Sequence, residues 1–155
     1  NVAPVKDKFL RQPVCNLSEW VQSNRQEYYD RLLRVSTHGE WTAWIRFFCT
    51  ALAEQAELDL QRAARVRALY RKYTEMVSGA RKSSLLTKLI ERLFRHPALT
   101  IPIAAKVLDV TYPAAQRHVE YLVKAGVLQQ ISEGNYDKTY VAQAIIRAIR
   151  GQGED

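Results

Sequence analysis

Hydrophobic positions recur at helical spacing along most of the chain, and punctuating residues mark where each run begins and ends. Trp20, Val21, Tyr28, Leu32 and Val35 form the first such run. Pro13 breaks the segment before it. Asn16 followed by Glu19 is an N-x-x-E start signal, in which each side chain can satisfy a free backbone N–H, and Gly39 is a fitting stop because it tolerates a left-handed cap. The pattern predicts a helix over residues 18–36.

Beyond Gly39 the series Trp41, Ile45, Phe48, Leu52, Ala56, Leu60, Ala63, Val66, Tyr70, Tyr73, Val77 steps by three or four, with no proline or glycine until Gly79. One helix of that length spans on the order of 55 Å, longer than a small domain is wide, so it is expected to bend, break or bridge two domains. The aromatic group Trp41, Trp44, Phe47 and Phe48 is assigned to packing against the first helix. Small and polar, "SGARKSS" at 78–84 is the candidate linker.

The second half predicts three helices and a small hairpin. Ser84 opens "LLTKLIERLFRH", with Leu85, Leu86, Leu89, Ile90, Leu93 and Phe94 on a broad apolar face, and Pro97 closes it. Thr100 is expected to cap "IPIAAKVLDV", with Pro102 in the first turn. Asp109 and Val110 make a tight turn, Thr111 caps the next helix, Pro113 sits in its first turn and Gly126 ends it. Ala115, Val119 and Leu122 are its inner stripe. "VLQQI" and "KTYVA" alternate as strands around "SEGNYD", where Gly134-Asn135 favours a turn, and "AQAIIRAI" reads as a last short helix. Helix, helix, turn, helix, strand, wing, strand is the order of a winged helix-turn-helix. The fold class is therefore mainly α: a helical segment with one long helix at 1–80, then a winged helix-turn-helix with a small β-hairpin at 83–150.

Composition narrows the function classes. The chain has 155 residues, 47% of them hydrophobic, and a mean hydropathy of -0.30, an ordinary globular composition for one domain or two small ones. No apolar run approaches the roughly 18 residues of a membrane span, and the first residues lack the order of a signal peptide, so no membrane association and a cytoplasmic location are expected. Cys15 and Cys49 lie far apart without a CxxC or a His/Cys cluster. They read as buried free thiols rather than as zinc ligands or a disulfide, and no metal site is expected.

The stretch "QPVCNLSEWVQSNRQEYYDRLLRVSTHGEWTAWIRFF" resembles the Fic (filamentation induced by cAMP) family. It follows that family's pattern of Pro-Val-x-x-Leu-Ser, Asn-Arg-x-x-Tyr-Tyr-x-x-Leu and Gly-x-Trp-x-x-Trp-x-x-Phe-Phe. The second half is similar to the winged helix that many Fic proteins carry next, down to "YVAQAII" after the wing, so the resemblance covers nearly the whole chain. It departs at Cys15 and Asn16, where the family usually has leucine and tyrosine, and at Glu40, where aspartate is common; these are packing and capping positions. Fic enzymes act through H-P-F-x-x-G-N-G-R, whose histidine is the general base and whose glycine-rich loop at a helix start holds nucleotide phosphates. That motif precedes the Pro-Val-x-x-Leu-Ser segment in the family and does not occur in these 155 residues. Gly134-Asn135 has no preceding histidine or following arginine, and His38, His96 and His118 lack a neighbouring acid, cysteine or nucleophile at catalytic spacing; they read as capping, surface or semi-buried residues.

The chain is thus expected to be non-catalytic, with no cofactor of its own. The resemblance implies a parent enzyme that uses ATP and Mg²⁺ to transfer AMP, or sometimes another nucleotide-derived group, to a hydroxyl on a target protein.

Charge bears on the partner. The net charge is +7 and the pI about 9.6, which raises the prospect of an acidic partner such as nucleic acid. On the helix that starts after Thr111, the inner stripe leaves Tyr112, Gln116, Arg117, Glu120, Tyr121 and Lys124 outward or on the flanks; Gln and Arg suit base edges, Tyr suits phosphate, and Lys138 on the wing can reach a second phosphate. Residues 1–82 hold 14 Lys+Arg against 9 Asp+Glu, however, and residues 83–155 hold 9 against 7, so the winged-helix segment is close to neutral. The basic cluster is "QRAARVRALYRK" on the long helix, where Arg62, Arg65 and Lys72 can share a face. Two functions follow: a protein-docking, regulatory or self-pairing module of a Fic enzyme, or duplex-DNA binding through Tyr112, Gln116 and Arg117 in a DNA-associated regulator.

Overall fold

The structure, a computed structural model, describes residues 16–79, 83–131 and 138–151. The chain is mainly α, as expected, and separates into two compact units, Asn1–Gln61 and Arg62–Asp155. The division falls inside the long helix rather than in the 78–84 stretch, of which residues 80–82 lie outside the described residues.

In the first unit, the single helix expected over 18–36 is two helices, α1 (Ser18–Ser23) and α2 (Arg25–His38). The N-cap is Leu17, without a side-chain cap bond, one residue later than expected; Asn16 before it accepts the Ser18 N–H on its Oδ1 at 3.1 Å. The break is made by Asn24, whose φ of -113° leaves the helical range while its side-chain amide donates to the Trp20 carbonyl at 2.9 Å. Gly39 ends α2 at φ 69°, its N–H reaching Val35. From there α3 (Trp41–Ser78) runs 38 residues without interruption, because nothing between its ends removes a backbone donor or favours a left-handed turn; of the expected alternatives, bend, break or bridge, the break does not occur.

The second unit begins within α3. Leu69, Tyr70, Tyr73 and Val77 pack on a core built by α4 (Ser83–Arg95), the strand β1 (Ala98–Thr100), α5 (Ile101–Leu108) and α6 (Tyr112–Lys124). Tyr70 and Tyr73 both set ring edges against Phe94. Leu89, Ile90 and Leu93 from α4 and Ala115, Val119 and Leu122 from α6 are fully enclosed, so the inner stripe expected for α6 is the observed one. Two short strands, β2 (Gln129–Gln130) and β3 (Thr139–Val141), and α7 (Gln143–Arg150) complete the unit.

The sheet has three antiparallel strands in the order β1-β3-β2, with Leu99 and Gln130 both opposite Tyr140. Strand β1 is one more than the sequence pattern predicts, and the strands on either side of the wing are shorter than "VLQQI" and "KTYVA". The Gly134-Asn135 turn lies outside the described residues.

The turn between α5 and α6 depends on Asp109, which adopts φ 56°, a conformation aspartate tolerates better than most residues. Thr100 and Thr111 occupy the cap positions with extended backbones, but neither hydroxyl makes the expected capping bond. In both helices a proline, Pro102 or Pro113, stands second, where it removes one of the N–H groups a cap would bind.

Candidate functional site

Three surfaces carry the chemistry of the described residues. The first is the outer face of α6. With Ala115, His118, Val119 and Leu122 buried, the helix presents Gln116, Arg117, Glu120, Tyr121 and Lys124 to solvent, with Tyr112 exposed on the flank. Lys138, just before β3, is exposed, so all six residues proposed from the sequence are accessible.

Their bonding limits what they can read. Gln116 donates its side-chain amide to Glu120 at 2.8 Å, and the Arg117 guanidinium turns back to the Pro113 carbonyl at 3.2 Å. Glu120 therefore places a carboxylate at the centre of the face, where a phosphate or base acceptor would meet repulsion. The same neighbourhood raises the Tyr140 phenol above its ordinary value, first through burial, then through the Glu120 carboxylate and Tyr112.

The second surface is basic. Arg62 and Arg65 lie beside the end of α7: a Cβ added at Gly151, which has φ +77°, would stand 3.2 Å from the Arg65 guanidinium and 3.9 Å from that of Arg62. There they meet the negative end of the α7 dipole. Lys72 lines an open depression with Arg67, Arg71, Ala64, Ala68, Glu75 and Met76. Arg62 is half-buried, whereas Arg65 and Lys72 are exposed and, seven residues apart, fall on nearly the same side of α3.

The unit boundary also moves the charge. Residues 62–155 hold 16 Lys+Arg and 8 Asp+Glu, a net +8, whereas residues 1–61 hold 7 and 8, a net -1. The winged-helix unit takes in the basic half of α3 and is strongly cationic, not near-neutral.

The third surface is apolar and belongs to the first unit. Helix α3 packs there through Trp44, Phe47 and Ala51: Trp20 and Trp44 set rings against Phe47, Tyr28 stacks edge-on to Trp44, and the Trp20 indole donates to Glu54 at 2.7 Å. The expected packing of the aromatic group holds for Trp44 and Phe47. Phe48 stacks on Trp44 of its own helix, ring centroids 6.4 Å apart, but stays partly exposed, and it lies with Trp41, Ile45 and Leu52 some 100° round the helix from the packed face. Trp41, Phe48, Ile45 and Leu52 are 60%, 40%, 56% and 37% exposed and form a stripe about three turns long.

Cys49 borders this stripe and is an exposed thiol, contrary to the expected burial, because nothing among the described residues covers that side of α3. Cys15 lies outside the described residues. The sequence did hold a signal for the open stripe. The apolar arc from Phe47 through Trp44 to Ile45 spans about 160° of the helix, wider than the ~100° that one packed face requires.

No group of three His, Cys, Asp or Glu side chains able to hold a metal occurs among the described residues. His38 shares a hydrogen bond with the adjacent Thr37 hydroxyl, His96 is exposed and His118 is buried among the residues of α6's inner side. No helix is long and apolar enough to cross a membrane among the described residues. Compared with known protein families, the chain matches no family model.

Proposed function

We propose that this chain is the non-catalytic carboxy-terminal region of a Fic family protein, whose parent transfers AMP from ATP and Mg²⁺ to target hydroxyls. The winged helix serves it as a regulatory, target-docking or dimerisation module. The observation that carries this reading is the Trp41–Ile45–Phe48–Leu52 stripe. An isolated domain gains roughly 1.5–3 kcal/mol from burying each large apolar side chain fully, so four aligned residues left partly in water are suited to a face that another element covers. A preceding catalytic body would do so, and the mixed charges of α6 suit docking to protein better than base reading. The test is the gene sequence upstream of the Asn1 codon. The reading expects H-P-F-x-x-G-N-G-R within a few dozen codons, and its absence contradicts the reading.

A second function is favoured by one observation, the net charge of +8 on residues 62–155. A unit this basic attracts duplex DNA through its phosphates whether or not a helix reads the bases. Titration of labelled duplex at two salt concentrations tests it; no binding at low salt removes it.

A further inference from the structure

We infer that the second unit holds duplex DNA by its backbone on the outer face of α3, through Arg67, Arg71 and Lys72, and not through the outer face of α6. This rests on the second, DNA-binding function and goes beyond it by assigning the surface.

Residues 62–72 hold five cations and no acid. Arg67, Arg71 and Lys72 are exposed, and none of the three is in an ion pair among the described residues. Glu75, one turn on, lines the same depression without an ion pair to Arg71 or Lys72, so the face carries three cations against one carboxylate. The three cations cover about 7.5 Å of helix axis, and one DNA strand presents a phosphate roughly every 3.4 Å of its own axis, so two or three phosphates lie within their combined reach. Ala64 and Ala68 add no bulk between them, and the face is an open depression that leaves the long side chains free to turn.

Two features favour a nucleic-acid backbone over an acidic protein. A protein interface has an apolar core from which charged residues are depleted, whereas this face holds three cations and the Glu75 carboxylate, with Ala64, Ala68 and Met76 as its apolar lining. Guanidinium groups outnumber ammonium groups four to one in residues 62–72, and their planar fork matches phosphate oxygens bidentately. The α6 face, by contrast, has Glu120 at its centre and Gln116 engaged with it, so contacts there meet repulsion. Contacts through α3 alone position DNA without reading sequence.

The experiment is anisotropy of a fluorescent duplex of about 25 base pairs with the 155-residue chain, at about 50 and 200 mM salt, using two unrelated sequences. Equal affinity for both sequences is expected, with binding that falls steeply as salt rises. The Arg67→Ala/Arg71→Ala/Lys72→Ala variant should lose about tenfold or more in affinity at low salt, and its salt slope should flatten by about three. The Arg117→Ala/Lys124→Ala variant should stay within about threefold of the parent chain. All three substituted positions on α3 are exposed, so circular dichroism should show both variants folded. If the α6 variant abolishes binding and the α3 variant does not, the surface assignment is overturned while DNA binding stands. If the chain binds no duplex at about 50 mM salt, both fail, and capture of an acidic poly-glutamate peptide by the same face would assign it to a protein partner instead.

Discussion

Gln116 donates its side-chain amide to Glu120 across one turn of α6, Nε2 to Oε1 2.8 Å, and that carboxylate also helps hold the phenol of Tyr140 protonated. A residue type that suits adenine edges is thereby bound to an acid, on the face where a DNA-reading helix needs free donors. Burial is the larger cause of the Tyr140 shift and the carboxylate the second. Glu120→Gln should therefore move the Tyr140 titration down towards 10.0 without bringing it all the way. Absorbance of tyrosinate during alkaline titration, compared with Tyr140→Phe to assign the signal, measures this; an unchanged titration contradicts the neighbourhood described.

The same shift has a stability consequence whose sign is fixed. The folded phenol ionises at higher pH than an unfolded one, so its contribution is complete below about pH 10 and is lost as pH rises through the raised folded value. In urea unfolding followed by far-ultraviolet circular dichroism, Tyr140→Phe should narrow the loss of stability between about pH 9 and pH 11 relative to the parent chain. A variant that falls as steeply as the parent contradicts it.

Much of this fold was legible, and the failures have local causes. Helix α3 was readable because 38 residues without proline or glycine leave a helix no reason to stop, and the α6 stripe because a three-four spacing survives burial unchanged. The break at Asn24 was missed because asparagine is only mildly unfavourable inside a helix; its bond back to Trp20 decides the matter. Strand β1 owes its form to pairing with β3, some 40 residues away, and three residues between prolines carry no pattern of their own. The candidate site was half legible. Every exposed residue expected on α6 is exposed, but the Gln116–Glu120 bond needed coordinates. The weight of the basic helix depended on which unit residues 62–78 join, and core packing by Tyr73 and Val77 settles that.

In the second unit, Leu89 of α4 is fully enclosed by the core. Leu89→Ala should cost about 2–5 kcal/mol, since the close-packed surroundings collapse only partly into the space left. Hydrogen exchange of α4 and α6 amides reports it, and a loss below about 1 kcal/mol contradicts the described packing.

In the first unit, two neighbouring faces of α3 should respond differently. All three tryptophans, Trp20, Trp41 and Trp44, lie in that unit, so their fluorescence reports its unfolding alone. Phe47→Ala should cost about 3–5 kcal/mol because its ring is buried against Trp20 and Trp44, whereas Ile45→Thr should change stability by no more than about 0.5 kcal/mol. Equal losses would mean that the outer stripe is already covered in the isolated chain.

The central claim is that a further part of the parent protein covers the stripe, and Cys49 reports on it directly, being an exposed thiol beside Trp41, Ile45, Phe48 and Leu52. The measurement is the maleimide labelling rate of Cys49, with Cys15→Ser, in the 155-residue chain and in the longer protein that includes the residues encoded upstream. The account predicts labelling near the rate of an unhindered thiol in the short chain and at least about tenfold protection in the longer one. Equal rates in the two proteins would contradict it.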